Sequence, residues 1–265
     1  MGNQRLSMLT RLLRPVKALG RRLGLKGTGV SVFQSCGQAA DGEDKDGETI
    51  TFVQPYTMTS PERIRAVCSA TRYIEQAGIQ GAIVECGVWR GGSMMAVART
   101  LMSLAAPTRD LYLFDTFEGM SEPGIYDVAA TGETAKELLD RASRTQEDLV
   151  WCYAPLEQVK QAMSLTGYPA ARTHFVPGRV ENTISKAAPD TIALLRLDTD
   201  WYESTRHEME QLFPRLSRGG VLILDDYGHW QGARRAVDEY FQGCQVKVLL
   251  HKIDYTGRVA VKVFD

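Results

Sequence analysis

From residue 50 onward, short apolar runs alternate with stretches of helical period. AIVECG (82–87), LYLFDTF (111–117), THFVPG (173–178), IALLRLDTD (192–200) and GGVLILDDYG (219–228) are compact runs that predict five strands. Between them, residues 92–104, 133–144, 155–167, 205–216 and 233–243 carry apolar positions three and four apart and predict helices. An earlier helix runs over 62–78, opened by Ser60-Pro61-Glu62 with Ser as N-cap and Pro at the first helical position, and ended by Gly78. Strands alternating with helices in this way predict an α/β fold: a Rossmann-like, doubly wound, mostly parallel sheet with helices on both faces. The ending breaks the rhythm. VKVLLHKI and GRVAVKVF flank Asp254-Tyr255-Thr256-Gly257 and predict a hairpin, which adds an antiparallel C-terminal strand.

The first 48 residues follow another pattern. Leu9, Leu12, Leu13, Val16, Leu19 and Leu23 lie at helical spacing with basic residues between them, and Pro15 would bend or divide such a helix. Arg5, Arg11, Arg14, Lys17, Arg21, Arg22 and Lys26 make residues 1–40 basic with no acid among them. Such an arm can pack on the body or on a sister subunit, lie weakly on a membrane surface through residues 1–26, or remain a tail. Residues 27–48, rich in glycine and charge and without periodicity, read as a linker. The expected organisation is therefore an arm and linker over 1–48 and one catalytic domain over 49–265, with a homo-oligomer as the expected assembly.

Composition narrows the class. The chain has 265 residues, 31 Lys+Arg and 32 Asp+Glu, so the basic arm leaves 24 basic against 32 acidic side chains, or −8, for the remainder. A body this acidic is not expected to bind nucleic acid, because phosphate affinity rests on Lys and Arg. No apolar run approaches the roughly 20 residues of a membrane-spanning helix. Five cysteines at irregular spacing, without a CxxC pair, fit a reducing, cytoplasmic setting rather than a disulfide framework. With only four histidines, a metal here would sit on carboxylates.

The chemistry is expected beyond the carboxyl ends of the strands. The first strand runs through Glu85-Cys86-Gly87 into Gly91-Gly92-Ser93 and a helix, a turn whose glycines permit close backbone approach. It is not a GxGxxG motif, which disfavours a nicotinamide-dependent oxidoreductase. Glu85 within an apolar strand demands a ligand or an ion-pair partner such as a nearby Arg. Asp115 ends the second strand 28 residues past Gly87, in the region of ribose-binding acids. Asp198 and Asp200 end the fourth strand, where positions i and i+2 of an extended chain share a face. Asp225 and Asp226 end the fifth. Two acids at each strand end exceed what helix capping needs and predict a hard divalent cation, Mg²⁺ first. Trp201, Tyr202, Tyr227, His229 and Trp230 are candidates to wall the pocket. Asp200 and His229 are the two candidates for a general base, Asp200 preferred because it shares the strand with Asp198.

With these motifs in hand, VECGVWRGGS, LYLFDTFEGM, FVPGRVENTI and LLRLDTDWYESTRHEMEQLFPRLSRGGVLILDDYGHWQGARRAVDEYF make residues 50–265 resemble the macrocin/mycinamicin O-methyltransferase family (TylF, MycF and NovP-like). The resemblance implies an S-adenosylmethionine- and Mg²⁺-dependent enzyme that methylates a hydroxyl of a sugar on a small natural product, as in antibiotic biosynthesis. It implies Asp198, Asp225 and Asp226 as metal ligands and Asp200 as base; the residues themselves leave His229 a supporting role. Around the cofactor it implies Glu85, Gly87, Ser93 and Asp115, Gly178 to Glu181 (Val180 among them) near the adenine, and Asp198. Tyr56 to Ser60, including Met58 and Thr59, would cover the methionine end. The alternative within the same fold is a catechol-type O-methyltransferase acting on a phenolic diol. The N-terminal 48 residues and residues 118–150 are expected to close over the acceptor.

Overall fold

The computed structural model describes residues 39–264. The basic arm and the first part of the expected linker lie outside the described residues. The rest of that linker is corrected by the structure: residues 39–48 belong to a helix, α1 (Ala39–Val53). Its sequence carries two glycines and no apolar stripe until its last turn, so nothing local announces a helix. Tertiary contacts hold it instead. Asp46 takes a bidentate pair from Arg72, with both N–O distances at 2.8 Å. Val53 is fully buried, and Arg99 stacks over Phe52.

The remaining elements follow the predicted order except for α6, a short helix that the sequence pattern does not predict: α2 (Pro61–Gln76), β1 (Ala82–Cys86), α3 (Gly92–Ser103), β2 (Leu111–Asp115), α4 (Ala135–Arg141), α5 (Leu156–Ser164), β3 (Thr173–Pro177), α6 (Val180–Ala187), β4 (Ile192–Leu197), α7 (Tyr202–Gln211), β5 (Leu216–Leu224), α8 (Gln231–Gly243), β6 (His251–Lys252) and β7 (Arg258–Val261). Ser60 caps α2 as its sequence predicts, accepting from Arg63 N at 3.2 Å. The seven strands form one sheet in the order β3-β2-β1-β4-β5-β7-β6. All pairs from β3 to β5 are parallel, and β7 and β6 are antiparallel. Strand order reverses between β1 and β4, which makes their carboxyl ends the switch point where such folds bind ligands.

Period-two alternation splits the strands between two cores. Ile83, Leu111, Leu113, Leu194, Val221 and Ile223 face α2, α3 and α5. Val84, Cys86, Phe114, Leu195, Leu197, Leu222 and Leu224 face α6, α7 and α8. The alternation has a consequence for charge. Glu85 follows Ile83 by two, Arg196 follows Leu194 by two, and Asp225 follows Ile223 by two, so all three fall on the α2 face. The register sets Glu85 beside Arg196 across the β1–β4 pair, and Arg196 beside Ile223 across β4–β5.

Candidate active site

A cavity of about 540 Å³ opens at the carboxyl ends of the strands, within the usual size range of small-molecule sites. On one side lies the glycine turn. Gly87 has φ +81°, and a Cβ there would stand 1.9 Å from the carbonyl oxygen of Asp198, so only glycine lets the ends of β1 and β4 approach this closely. Ser93, in the first turn of α3, and Asp115, at the end of β2, also line the cavity. Asp115 accepts from the backbone N–H groups of Val88 (2.6 Å) and Trp89 (3.0 Å) through Oδ2, and of Phe117 (2.7 Å) through Oδ1. It therefore ties β2 to the turn after β1. Burial pushes its carboxyl up, and these N–H groups pull it back. Gly178, at φ +122°, and Val180, which opens α6, line the same side. Met58 and Thr59 approach from the segment before α2.

On the other side the acids converge. Asp198, Asp225 and Asp226 each offer an oxygen within 4.8 Å of the others. They do not cap the helices that follow: α7 and α8 begin after Trp201 and Trp230, neither with a side-chain cap. Asp198 and Asp200 do not share a strand face as their spacing predicts. β4 ends at Leu197, and Asp200 sits in a turn with φ +66°, so its carboxyl reaches the cluster by a left-handed bend rather than by the pleat. There it meets Asp226, and burial followed by the charge of Asp198 pushes it up to about 7. Burial first, then neighbouring carboxylates, lifts Asp198 and Asp226 well above the ordinary range.

Glu85 does not reach the cavity lining. Of the two roles its position allows, the structure shows the ion pair: Oε1 accepts from Arg196, and Oε2 is buried without a partner. Desolvation pushes its carboxyl up to about 7 against the pull of Arg196. Two cations that the sequence does not mark as site residues complete the cluster. Arg196 also meets Asp198 Oδ2 at 2.8 Å and Asp225 Oδ1 at 2.6 Å. Arg63, from the first turn of α2, reaches the other oxygen of Asp225 and holds Asp254 Oδ2 at 3.0 Å. Arg196 was legible as a charge inside an apolar strand, whereas nothing near Arg63 signals its partner.

Trp201, His229 and Trp230 line the cavity, with Trp201 and Trp230 edge to face at 4.9 Å. Tyr202 and Tyr227 do not. Their hydroxyls donate to Glu239 and Asp238 on α8, which corrects their expected place on the wall. Burial lowers His229, whose Nδ1 lies 3.5 Å from the Tyr255 hydroxyl. The expected cover is represented by Met120, Leu138, Leu139, Leu149 and Val150, which bring apolar surface to the cavity.

The donor set fits a hard divalent cation: three convergent carboxylates, all oxygen, with Asp226 Oδ2 buried and lacking any hydrogen-bond partner. A sheet of this order, with a glycine turn after β1 and an acid ending β2, has the Rossmann-like architecture of class I methyltransferases, and the family match makes the chain an S-adenosylmethionine-dependent O-methyltransferase. The family model for macrocin O-methyltransferase (TylF) matches residues 32–262, and the chain belongs to that family. The chain is 34% identical over 202 residues to 8-demethyl-8-(2,3-dimethoxy-alpha-L-rhamnosyl)-tetracenomycin-C 4'-O-methyltransferase of Streptomyces olivaceus, a match covering 76% of this chain and 74% of that protein. It is 29% identical over 202 residues to mycinamicin III 3''-O-methyltransferase of Micromonospora griseorubida, covering 76% of each. Among solved structures, the O-methyltransferase NovP superposes with a TM-score of 0.67 at 27% identity, over 79% of this chain and 83% of that one. Among the described residues, no helix is long and apolar enough to cross a membrane.

Proposed function

We propose that this enzyme moves the methyl group of S-adenosylmethionine to a sugar hydroxyl of a glycosylated small molecule, with Mg²⁺ held by Asp198, Asp225 and Asp226. The observation that carries this reading is the acidic cluster standing across one cavity from the glycine turn, with Asp200 at its edge. The names of the relatives, which act on rhamnosylated tetracenomycin and on mycinamicin, favour a sugar over a phenol. A divalent cation bound by these carboxylates lowers the pKa of a hydroxyl that meets it.

The chain's own residues supply the rest. Gly87 and the N–H groups opening α3 admit the cofactor close to the backbone, and Asp115 accepts from its ribose hydroxyls. Gly178 and Val180 flank the adenine, and Met58 and Thr59 cover the methionine end. Asp200 accepts the proton of the attacking hydroxyl, with His229 beside it at the cavity wall. Trp201, Trp230 and the apolar residues of 118–150 exclude water and hold the acceptor in line, and such orientation lowers the barrier. Glu85 acts from behind, through Arg196.

Labelled S-adenosylmethionine offered with a panel of deoxysugar glycosides and simple catechols tests the reading. Label transferred to a glycoside hydroxyl is expected; transfer to catechols alone would assign the phenolic class instead. The ribose assignment has its own check. Losing a charged hydrogen bond costs about 1.5–3 kcal/mol, so Asp115→Ala is expected to weaken S-adenosylhomocysteine binding roughly ten- to a hundredfold by calorimetry. Affinity equal to the parent's would remove Asp115 from the cofactor site.

A further inference from the structure

Among the described residues, Arg196 is the one buried cation at the centre of the site, and the chemistry above gives it no direct part. It is 5% exposed, and its guanidinium reaches three carboxylates from three strand ends. Nη1 meets Glu85 and Asp198, and Nη2 meets Asp225 while also donating to Thr59 Oγ1 at 3.1 Å. Stability does not account for so much buried charge, since an apolar set of similar volume serves a core as well or better. Geometry does. A guanidinium is a rigid planar fork, so it dictates where the oxygens it meets can stand. Asp198 and Asp225 are two members of the convergent trio. Glu85, held by the β1–β4 register and buried on all sides, is the fixed anchor that keeps the fork from swinging.

We propose that Arg196 is a positioning residue, which sets the spacing of Asp198 and Asp225 for a divalent cation by pairing with both while anchored on Glu85. The inference rests on the reading of Asp198, Asp225 and Asp226 as cation donors. It makes Arg196 neither a ligand nor a group that touches the reacting atoms.

The test is Arg196→Lys in the full chain, with Mn²⁺ as the probe and free ion counted by electron paramagnetic resonance. Lysine keeps the positive charge, so a change in affinity reports lost geometry rather than altered electrostatics. Mn²⁺ binding is expected to weaken at least tenfold while the thermal transition stays within a few degrees of the parent. Equal Mn²⁺ affinity in both proteins, whatever the thermal shift, would overturn the proposal and leave Arg196 a structural ion pair. Glu85→Gln keeps the test decisive should the lysine variant fail to fold. A neutral anchor leaves the fork leaning on Asp198 and Asp225, so Mn²⁺ affinity is expected to fall at least threefold although Glu85 is outside the donor set; no change would again overturn the proposal. If the parent itself binds no Mn²⁺, the donor assignment fails first and this inference with it, an outcome distinct from equal binding by parent and variant.

Discussion

Replacing Asp200 by Asn is expected to lower kcat by roughly 10²–10⁴-fold, with S-adenosylhomocysteine affinity nearly unchanged. The substitution keeps the size of the side chain and removes its basicity. It also spares the backbone. Asp200 has φ +66°, a region that asparagine enters almost as readily as any residue other than glycine, so a lost rate would report chemistry rather than a refolded turn. On the proposed reading the proton acceptor stands beside a hydroxyl held at the acidic cluster, and Asp200 reaches that cluster at the cavity wall, where it meets Asp226. His229 is lowered by burial and packs edge-on against Trp230 at 4.9 Å, which suits a supporting contact. A variant series in which Asp200→Asn keeps its rate while His229→Ala loses it would reverse the two roles.

Chelation with EDTA is expected to abolish turnover while leaving cofactor binding and the thermal transition little changed. The reason lies in how the acids are neutralised within the protein itself. Asp225 is paired on both oxygens, by Arg63 and Arg196, and Asp198 on one, so two of the three proposed donors are balanced without an added cation and only Asp226, whose Oδ2 has no partner, is not. All three proposed donors stand past the last residues of β4 and β5, outside the apolar runs that hold the sheet together. Restoring Mg²⁺ should then restore activity without any refolding step. Full turnover in metal-free buffer would end the cation assignment, and a collapse of the thermal transition on chelation would make its role structural.

The sheet was readable because its central strands are buried on both faces, and a short continuous apolar run bounded by glycine and acid is the pattern that such burial requires. The antiparallel ending was readable from its turn, although only His251 and Lys252 of the first predicted arm form a strand. The helix at Ala39–Val53 was not, because its stability comes from Arg72 and the core rather than from its own residues. The acids of the site stood out as charges where apolar residues were expected. Their arrangement did not follow from spacing: Asp200 arrives through a left-handed turn, which no alternation rule anticipates. Arg196 was visible but its partners were not, since pairing it with Glu85 requires the register of two strands 111 positions apart. Arg63 and Asp225 are separated by 162 positions and share no local pattern.

The turn between β6 and β7 gives the site a place in time as well as in space. Asp254 accepts from Ser60 Oγ at 2.6 Å and from Arg63 Nε at 3.0 Å, contacts that close loops of 194 and 191 residues. Domains assemble from the N-terminus as they are synthesised, and contacts this distant in sequence form only after the intervening chain exists. A nascent polypeptide that has completed β5 and the turn after it already carries Asp198, Asp200, Asp225 and Asp226, yet Arg63 still lacks its second carboxylate and β5 still lacks β7, its antiparallel neighbour. The brace on Arg63 therefore closes only after the turn between β6 and β7 has been made. A chain cut just before Asp254 would retain all the proposed catalytic acids and lose the brace that orients one of them.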